Sequence, residues 1–153
     1  MAADERVHAT AIALDGKAAL IRGPSGAGKS DLALRCITSA RSALIPSAAQ
    51  LICDDQVVLI ASRAGIMVYA VDTIVGKLEV RGLGIIEVPA IASAPLTLIV
   101  DLVSSRDQVD RLPEAASIEV CGHRIAHLRL HPFENAAELK LLLALMRAPI
   151  FTK

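Results

Sequence analysis

Apolar residues are distributed along this chain in two ways, as short near-continuous runs and, in two places, at helical spacing. Val7 to Leu14 (VHATAIAL) reads as a strand, Asp15-Gly16 is a two-residue hairpin signal, and Lys17 to Arg22 (KAALIR) returns as a second strand. That strand runs directly into a glycine-rich stretch. From Lys29 to about Ala40, KSDLALRCITSA sets Leu32, Leu34, Cys36 and Ile37 among helix formers, with Asp31 early, where the helix dipole favours an acid. Gln50 to Cys53, Val57 to Ala61 and Ile66 to Ala70 predict short strands, the last two joined by a turn at Ala64-Gly65. Leu78 to Val80, Ile85 to Val88 and Leu96 to Val103 predict three more, and Ser117 to Leu130 a hairpin turning at Cys121-Gly122. Glu134 to Met146 (ENAAELKLLLALM) has helical spacing and begins just after Pro132. Many short strands and two helices predict an α/β fold with a mixed, largely antiparallel sheet rather than regular βαβ alternation. No repeat or linker interrupts the 153 residues, so 1–153 is read as a single domain.

Composition narrows the classes. The chain is 54% hydrophobic but 2% aromatic, so its core must be built from Ala, Val, Ile and Leu. Sixteen Lys and Arg balance 16 Asp and Glu, which argues against nucleic acid as a partner. The apolar excess fits subunit contacts, and a homo-oligomer is expected. Cys36, Cys53 and Cys121 are an odd number without C-x-x-C spacing, which points away from disulfides and zinc knuckles and toward reduced thiols. The opening MAADERVHAT lacks an apolar signal core, and no apolar run reaches the ~18 residues of a spanning helix. A soluble cytoplasmic protein with no membrane partner is the expectation. Cys121, His123, His127 and His131 invite a metal reading, but on a strand His123 and His127 stand roughly 13 Å apart, too far for one ion.

The candidate chemistry starts with Gly23-Pro24-Ser25-Gly26-Ala27-Gly28-Lys29-Ser30, which satisfies G-x-x-x-x-G-K-[ST] between a predicted strand and a predicted helix. In such a loop, backbone N–H groups and the helix N-terminus cradle phosphate. Lys29 reaches the β- and γ-phosphates, and the Ser30 hydroxyl ligates magnesium. A nucleoside triphosphate with Mg²⁺ is therefore expected. An acid must complete the site, and two strand ends offer one. Asp101, after Leu96-Thr-Leu-Ile-Val, matches the ordinary pattern of phosphate-loop proteins. Asp54-Asp55, after Leu51-Ile-Cys, pairs two carboxylates of which one could take and return a proton.

The segment Leu78-Glu-Val-Arg-Gly-Leu-Gly-Ile-Ile-Glu87 resembles the L-E-[IV]-R-G-L-G-I-I-[DE] signature of the HPr kinase/phosphorylases. These bacterial enzymes phosphorylate a serine of the phosphocarrier protein HPr and can remove that phosphate. The resemblance extends to Ser25 in the loop, to Asp54-Asp55, to His8 fifteen residues before Gly23, and to Asp110-Arg111-Leu112. It runs from about Val7 to Met146. It implies a phosphoenolpyruvate carboxykinase-like nucleotide-binding fold and an ATP- and Mg²⁺-dependent serine kinase acting on an HPr-like carrier, with phosphate and pyrophosphate in the reverse direction and a hexameric assembly. By the same resemblance Gly23, Ser25, Gly26, Ala27, Gly28, Lys29 and Ser30 bind the triphosphate, and Ser30 with Glu79 holds magnesium. Asp54 or Asp55 is the base, His8 orients the pair, and Arg111 serves dephosphorylation.

The family's usual N-terminal domain has no counterpart here, Val109 replaces an aromatic residue, and Leu130-His-Pro-Phe-Glu-Asn135 matches the family pattern loosely. The segment after Glu87 and the C-terminal helices are also short, as in the short α-proteobacterial form. Two other readings stay open: an ATP-sensing module without transfer, and an ordinary NTPase organised by Asp101.

Overall fold

A computed structural model describes residues 3–148. The remainder of the predicted 1–153 domain lies outside the described residues. Strand β1 (Ala3–Val7) is followed by a bend at His8, then β2 (Thr10–Leu14), and the Asp15-Gly16 turn leads into β3 (Lys17–Arg22). Helix α1 (Lys29–Thr38) precedes β4 (Gln50–Cys53), β5 (Val57–Ser62) and β6 (Gly65–Ala70). Next come β7 (Lys77–Val80), β8 (Gly84–Glu87) and β9 (Ser93–Leu102). Strands β10 (Ala116–Val120) and β11 (His123–Leu130) lead to helix α2 (Ala137–Arg147).

Nine strands form one sheet in the order β1-β5-β6-β9-β3-β2-β4, with β11 on the far side of β9 and β10 beyond it; β7 and β8 pair separately. Only β3–β9 and β9–β11 are parallel, so the sheet is mixed and largely antiparallel, with two α-helices among the described residues. Strand β4 runs antiparallel to β2, which runs antiparallel to β3. Strands β3, β4, β9 and β11 therefore all finish at the same edge of the sheet.

The continuous apolar runs of β2 and β3 follow from burial on both faces. Ile12, Leu14, Ala19 and Ile21 face a core built with α1 and α2, while Ala11, Ala13, Ala18 and Leu20 face a second core built with β5 and β6. Each helix is ordered by packing its apolar stripe on the first core: Leu32, Ala33 and Cys36 from α1, and Leu141, Leu142 and Leu145 from α2. No helix among the described residues is long and apolar enough to cross a membrane.

Beyond shifts of one or two residues at other ends, three boundaries depart from the sequence reading. The Val7–Leu14 strand is two strands, because the chain leaves its pairing with β5 at Val7 and joins β3 at Thr10. Strand β9 begins at Ser93 and contains Pro95, which sits beside a register shift in its pairing with β3, a place where a missing N–H costs little. Helix α2 starts at Ala137 rather than Glu134, since residues 132–136 are turns.

Candidate active site

Strand β3 delivers the chain to Gly23 at the common edge. A side chain at Gly23 would bring its Cβ to 3.1 Å from that of Ala27, so a larger residue there would push the neighbouring loop by a few tenths of an ångström. Gly28, with φ of 103°, stands at the N-cap of α1, where it has no side chain to cap the helix. The first-turn N–H groups are thus left for an anion. The Lys29 side chain is buried and folds back over the loop, donating to the Gly23 carbonyl at 2.7 Å and the Pro24 carbonyl at 3.0 Å. An ammonium has three hydrogens, and one remains for a ligand.

The two aspartates that follow β4 differ sharply. Asp54 is 6% exposed and its carboxylate gathers three elements. Its Oδ1 accepts from the Thr10 hydroxyl at 2.9 Å and the Ser30 hydroxyl at 2.7 Å, and its Oδ2 accepts from the Glu79 N–H at 3.1 Å. Asp55 has φ of 68°, and the Gln56 N–H donates to the Asp54 carbonyl at 2.7 Å across it. This is a γ-turn with positive φ, a conformation that stores about 1–3 kcal/mol in a non-glycine residue. It turns the Asp55 side chain, 67% exposed, away from the fold, where His8 Nε2 meets its Oδ1 at 2.9 Å. The bend that splits the N-terminal strand is what carries His8 to this carboxylate.

Opposite the loop stands the β7–β8 hairpin. Leu78 is fully buried in the helix-side core and fixes the hairpin, while alternation along β7 turns Glu79 outward. Glu79 and Arg81 line a cleft of about 560 Å³ together with Lys29, Ser30, Asp55 and Phe133. Gly82 and Gly84 at the hairpin tip both have positive φ. Ser30, Asp54, Asp55 and Glu79 offer oxygen donors, the kind a small hard cation takes together with phosphate oxygens and water. Among the described residues no three His, Cys, Asp or Glu side chains form a ready-made cation cage, so this donor set fits magnesium shared with a phosphate rather than a closed metal site.

His8, Asp54 and Gly23 touch lining residues of the cleft without forming its wall, whereas two predicted residues stand apart from it. Arg111 is exposed on the loop between β9 and β10 and is absent from the cleft walls. Asp101 is the next-to-last residue of β9, the parallel neighbour of β3, as the ordinary pattern asks, but its oxygens are already engaged. Arg22 Nε and Nη2 donate to Oδ1 and Oδ2 at 2.8 Å each, and His127 Nε2 lies 2.8 Å from Oδ2. Burial pushes the Asp101 carboxyl up, but the hydrogen bonds and charges of Arg22 and His127 outweigh it and hold the group below its ordinary value. The remaining histidines have local duties: His123 Nε2 lies 2.7 Å from the Ser62 carbonyl and His131 Nδ1 3.1 Å from that of Val103.

Two residues of the site escape sequence reasoning. Thr10, fully buried, links Asp54 to the Asp55 N–H, which approaches its hydroxyl at 3.4 Å, yet in sequence it is an ordinary strand residue. Phe133 sits over Gly28; its only sequence signal is an aromatic side chain in a loop of a chain with so few.

The HPr Serine kinase C-terminal domain family model matches residues 1–146. The HPr kinase/phosphorylase of Clostridium acetobutylicum is 35% identical over 91 residues, which cover 60% of this chain and 27% of that protein. The match thus spans about a quarter of this curated relative. The solved structure of the Hpr(Ser) kinase/phosphatase from Coxiella burnetii superposes with a TM-score of 0.74 at 24% identity, covering 94% of this chain and 88% of that one, a likeness of fold. With one family model running over nearly all of its length, the chain belongs to the HPr serine kinase C-terminal domain family.

Proposed function

We propose that this domain transfers the γ-phosphoryl group of ATP to a serine hydroxyl of an HPr-like phosphocarrier protein in the cytoplasm, and returns it to inorganic phosphate in the reverse direction. The observation that carries this reading is the contact between the two halves of the site. The Ser30 hydroxyl of the phosphate loop lies 2.7 Å from buried Asp54, and the strained turn beside it holds the Asp55 carboxylate out to the cleft.

The division of labour follows from exposure. Asp54, held by three donors, keeps Ser30 in place; Asp55, with Oδ1 on His8, faces the cleft and can meet a substrate hydroxyl with its other oxygen. The loop amides from Gly23 to Ser30 and Lys29 hold the triphosphate. Magnesium, held by Ser30 and Glu79 with Asp54 beside them, would neutralise charge on the β- and γ-phosphate oxygens. In the forward direction Asp55 takes the serine proton as the serine oxygen bonds to the γ-phosphorus, and the bond to the bridging oxygen breaks to release ADP. In reverse, an oxygen of inorganic phosphate attacks the phosphoserine phosphorus, protonated Asp55 returns its proton to the serine oxygen, and pyrophosphate leaves. His8 orients Asp55, and Arg111 would have to move in from its loop to assist this direction. Leu83 and Ile85, 72% and 71% exposed on the hairpin, give a protein substrate an apolar rim beside the cleft. Leu112, exposed beside Arg111, suits contact with a second copy in a homo-oligomer.

The test is transfer of label from γ-labelled ATP, with magnesium, to serine of an HPr-like carrier. Lys29→Ala and Asp55→Asn should each lower the rate by about 10²–10⁴-fold with little change in folding. Unchanged transfer in both variants would end the assignment, and tight ATP binding without transfer to any carrier would mark a sensing module instead.

A further inference from the structure

The geometry points to Phe133 as the stacking face for the base of the bound nucleotide, an inference that rests on the nucleotide-binding reading above. The topology comes first. Reading across the common edge, the strands run β11-β9-β3-β2-β4. The phosphate loop leaves β3 in the middle, Asp54-Asp55 leave β4 two strands to one side, and Pro132-Phe133 follow β11 two strands to the other. A nucleotide whose terminal phosphate faces the acids must lay its nucleoside over the opposite side, where ligands sit beyond the carboxyl ends of parallel strands.

Phe133 is built for a ligand rather than for a core. The residue is 62% exposed and belongs to neither apolar cluster, although the chain is only 2% aromatic. Its neighbours on both sides are nevertheless anchored. The Pro132 carbonyl accepts from Arg35 on α1, and Glu134 is held by Arg106 at 3.1 Å and Lys140 at 2.5 Å. The His131 ring meets the Phe133 ring edge-on, 5.9 Å between centroids at 79°. A Cβ on Gly28 would lie 3.0 Å from the Phe133 ring, so the aromatic edge rests on the loop itself. Leu34, one turn beyond Ser30 on α1, adds an apolar side chain to the cleft, and Asp31 nearby is occupied by Arg35 at 3.0 Å. An exposed ring seated against the loop, with Leu34 on the same cleft, offers a base its π-face.

Binding measured by calorimetry on the full chain separates this role from the phosphate loop. ATP and inorganic tripolyphosphate, each with magnesium, are titrated into wild type, Phe133→Ala and Phe133→Trp. Phe133→Ala should bind ATP about tenfold more weakly, ~1.4 kcal/mol, with tripolyphosphate changed less than twofold, and Phe133→Trp should restore ATP. An unchanged ATP affinity, or an equal loss for tripolyphosphate, overturns the stacking role. The same holds if wild type binds ATP no more tightly than tripolyphosphate. Failure of wild type to bind either ligand overturns instead the nucleotide reading beneath it. Because the ring is exposed, the thermal midpoint of Phe133→Ala should match wild type, so a loss of ATP affinity is not a loss of fold.

Discussion

Asp54, Asp55 and Asp101 are the same residue type at the ends of apolar strands, and their surroundings give them three different characters. In the sequence Asp54 and Asp55 are interchangeable. The γ-turn separates them by turning one carboxylate inward to Thr10, Ser30 and the Glu79 N–H and the other outward to His8. No periodicity predicts a positive φ at a residue with a side chain, which is why the pair was visible and its division was not. Asp101 looks in sequence like a metal-organising acid, but Arg22, opposite it in register across β3 and β9, and His127 from β11 claim it. That pairing suits a structural role, and its pH dependence has a definite sign. The folded carboxyl lies below its ordinary value, so the contribution is complete above roughly pH 4 and is lost as pH falls through the folded value. Asp101 is about a third exposed, and solvent screens the pair. Asp101→Asn should therefore cost about 1 kcal/mol at pH 7, a drop in Tm of roughly 3 °C, and the gap to wild type should close as the pH is lowered toward 3. A gap that widens in acid would contradict this account.

Among elements, the hydrophobic pattern was a good guide where one face or both faces of a strand had to be apolar, as in β3 and β4, whose ends coincide with those expected. It was a poor guide where a strand changes partners without a glycine or proline to mark the place, as at His8 between β1 and β2. The helices were legible from their apolar spacing, but what closes their ends was not. The C-terminal carbonyls of α2 are met from across the sequence: Lys17 at the start of β3 donates to the Met146 carbonyl at 2.7 Å and the Ala148 carbonyl at 2.9 Å. A cation there satisfies two acceptors that the helix cannot and opposes the negative end of its dipole. Lys17→Met keeps the stem and removes the donors, so it should lower stability by about 1–2 kcal/mol in urea denaturation. An unchanged midpoint would show that water replaces the ammonium without cost.

For the whole molecule, the common edge explains why three strand ends, one helix start and one hairpin can converge on a single cleft, and the two cores explain why that edge is rigid. Successive residues of β2 and β3 point into opposite cores, so neither core can loosen without disturbing strands that belong to the other. The cysteines report on this directly. Cys36 lies in the core beneath the helices, Cys53 in the core on the other face, and Cys121 is exposed. Burial pushes the Cys36 thiol up to about 12, opposed by the charge of Arg35, and burial likewise raises Cys53. Burial and Glu5 raise the Cys121 thiol as well, so what separates the three is access: neither buried cysteine should react until the fold opens, whereas exposed Cys121 should react in the native protein. Brief exposure to a thiol reagent across a urea series, read by mass, should give one modified cysteine at low urea and then modification of Cys36 and Cys53 together, with a shared midpoint. If Cys53 became reactive at distinctly lower urea than Cys36, the two cores would be separate cooperative units. The two sides of the cleft would then loosen separately, because Ser30 and Leu78 are anchored in the helix-side core while Asp54, Asp55 and Thr10 are flanked by residues of the other.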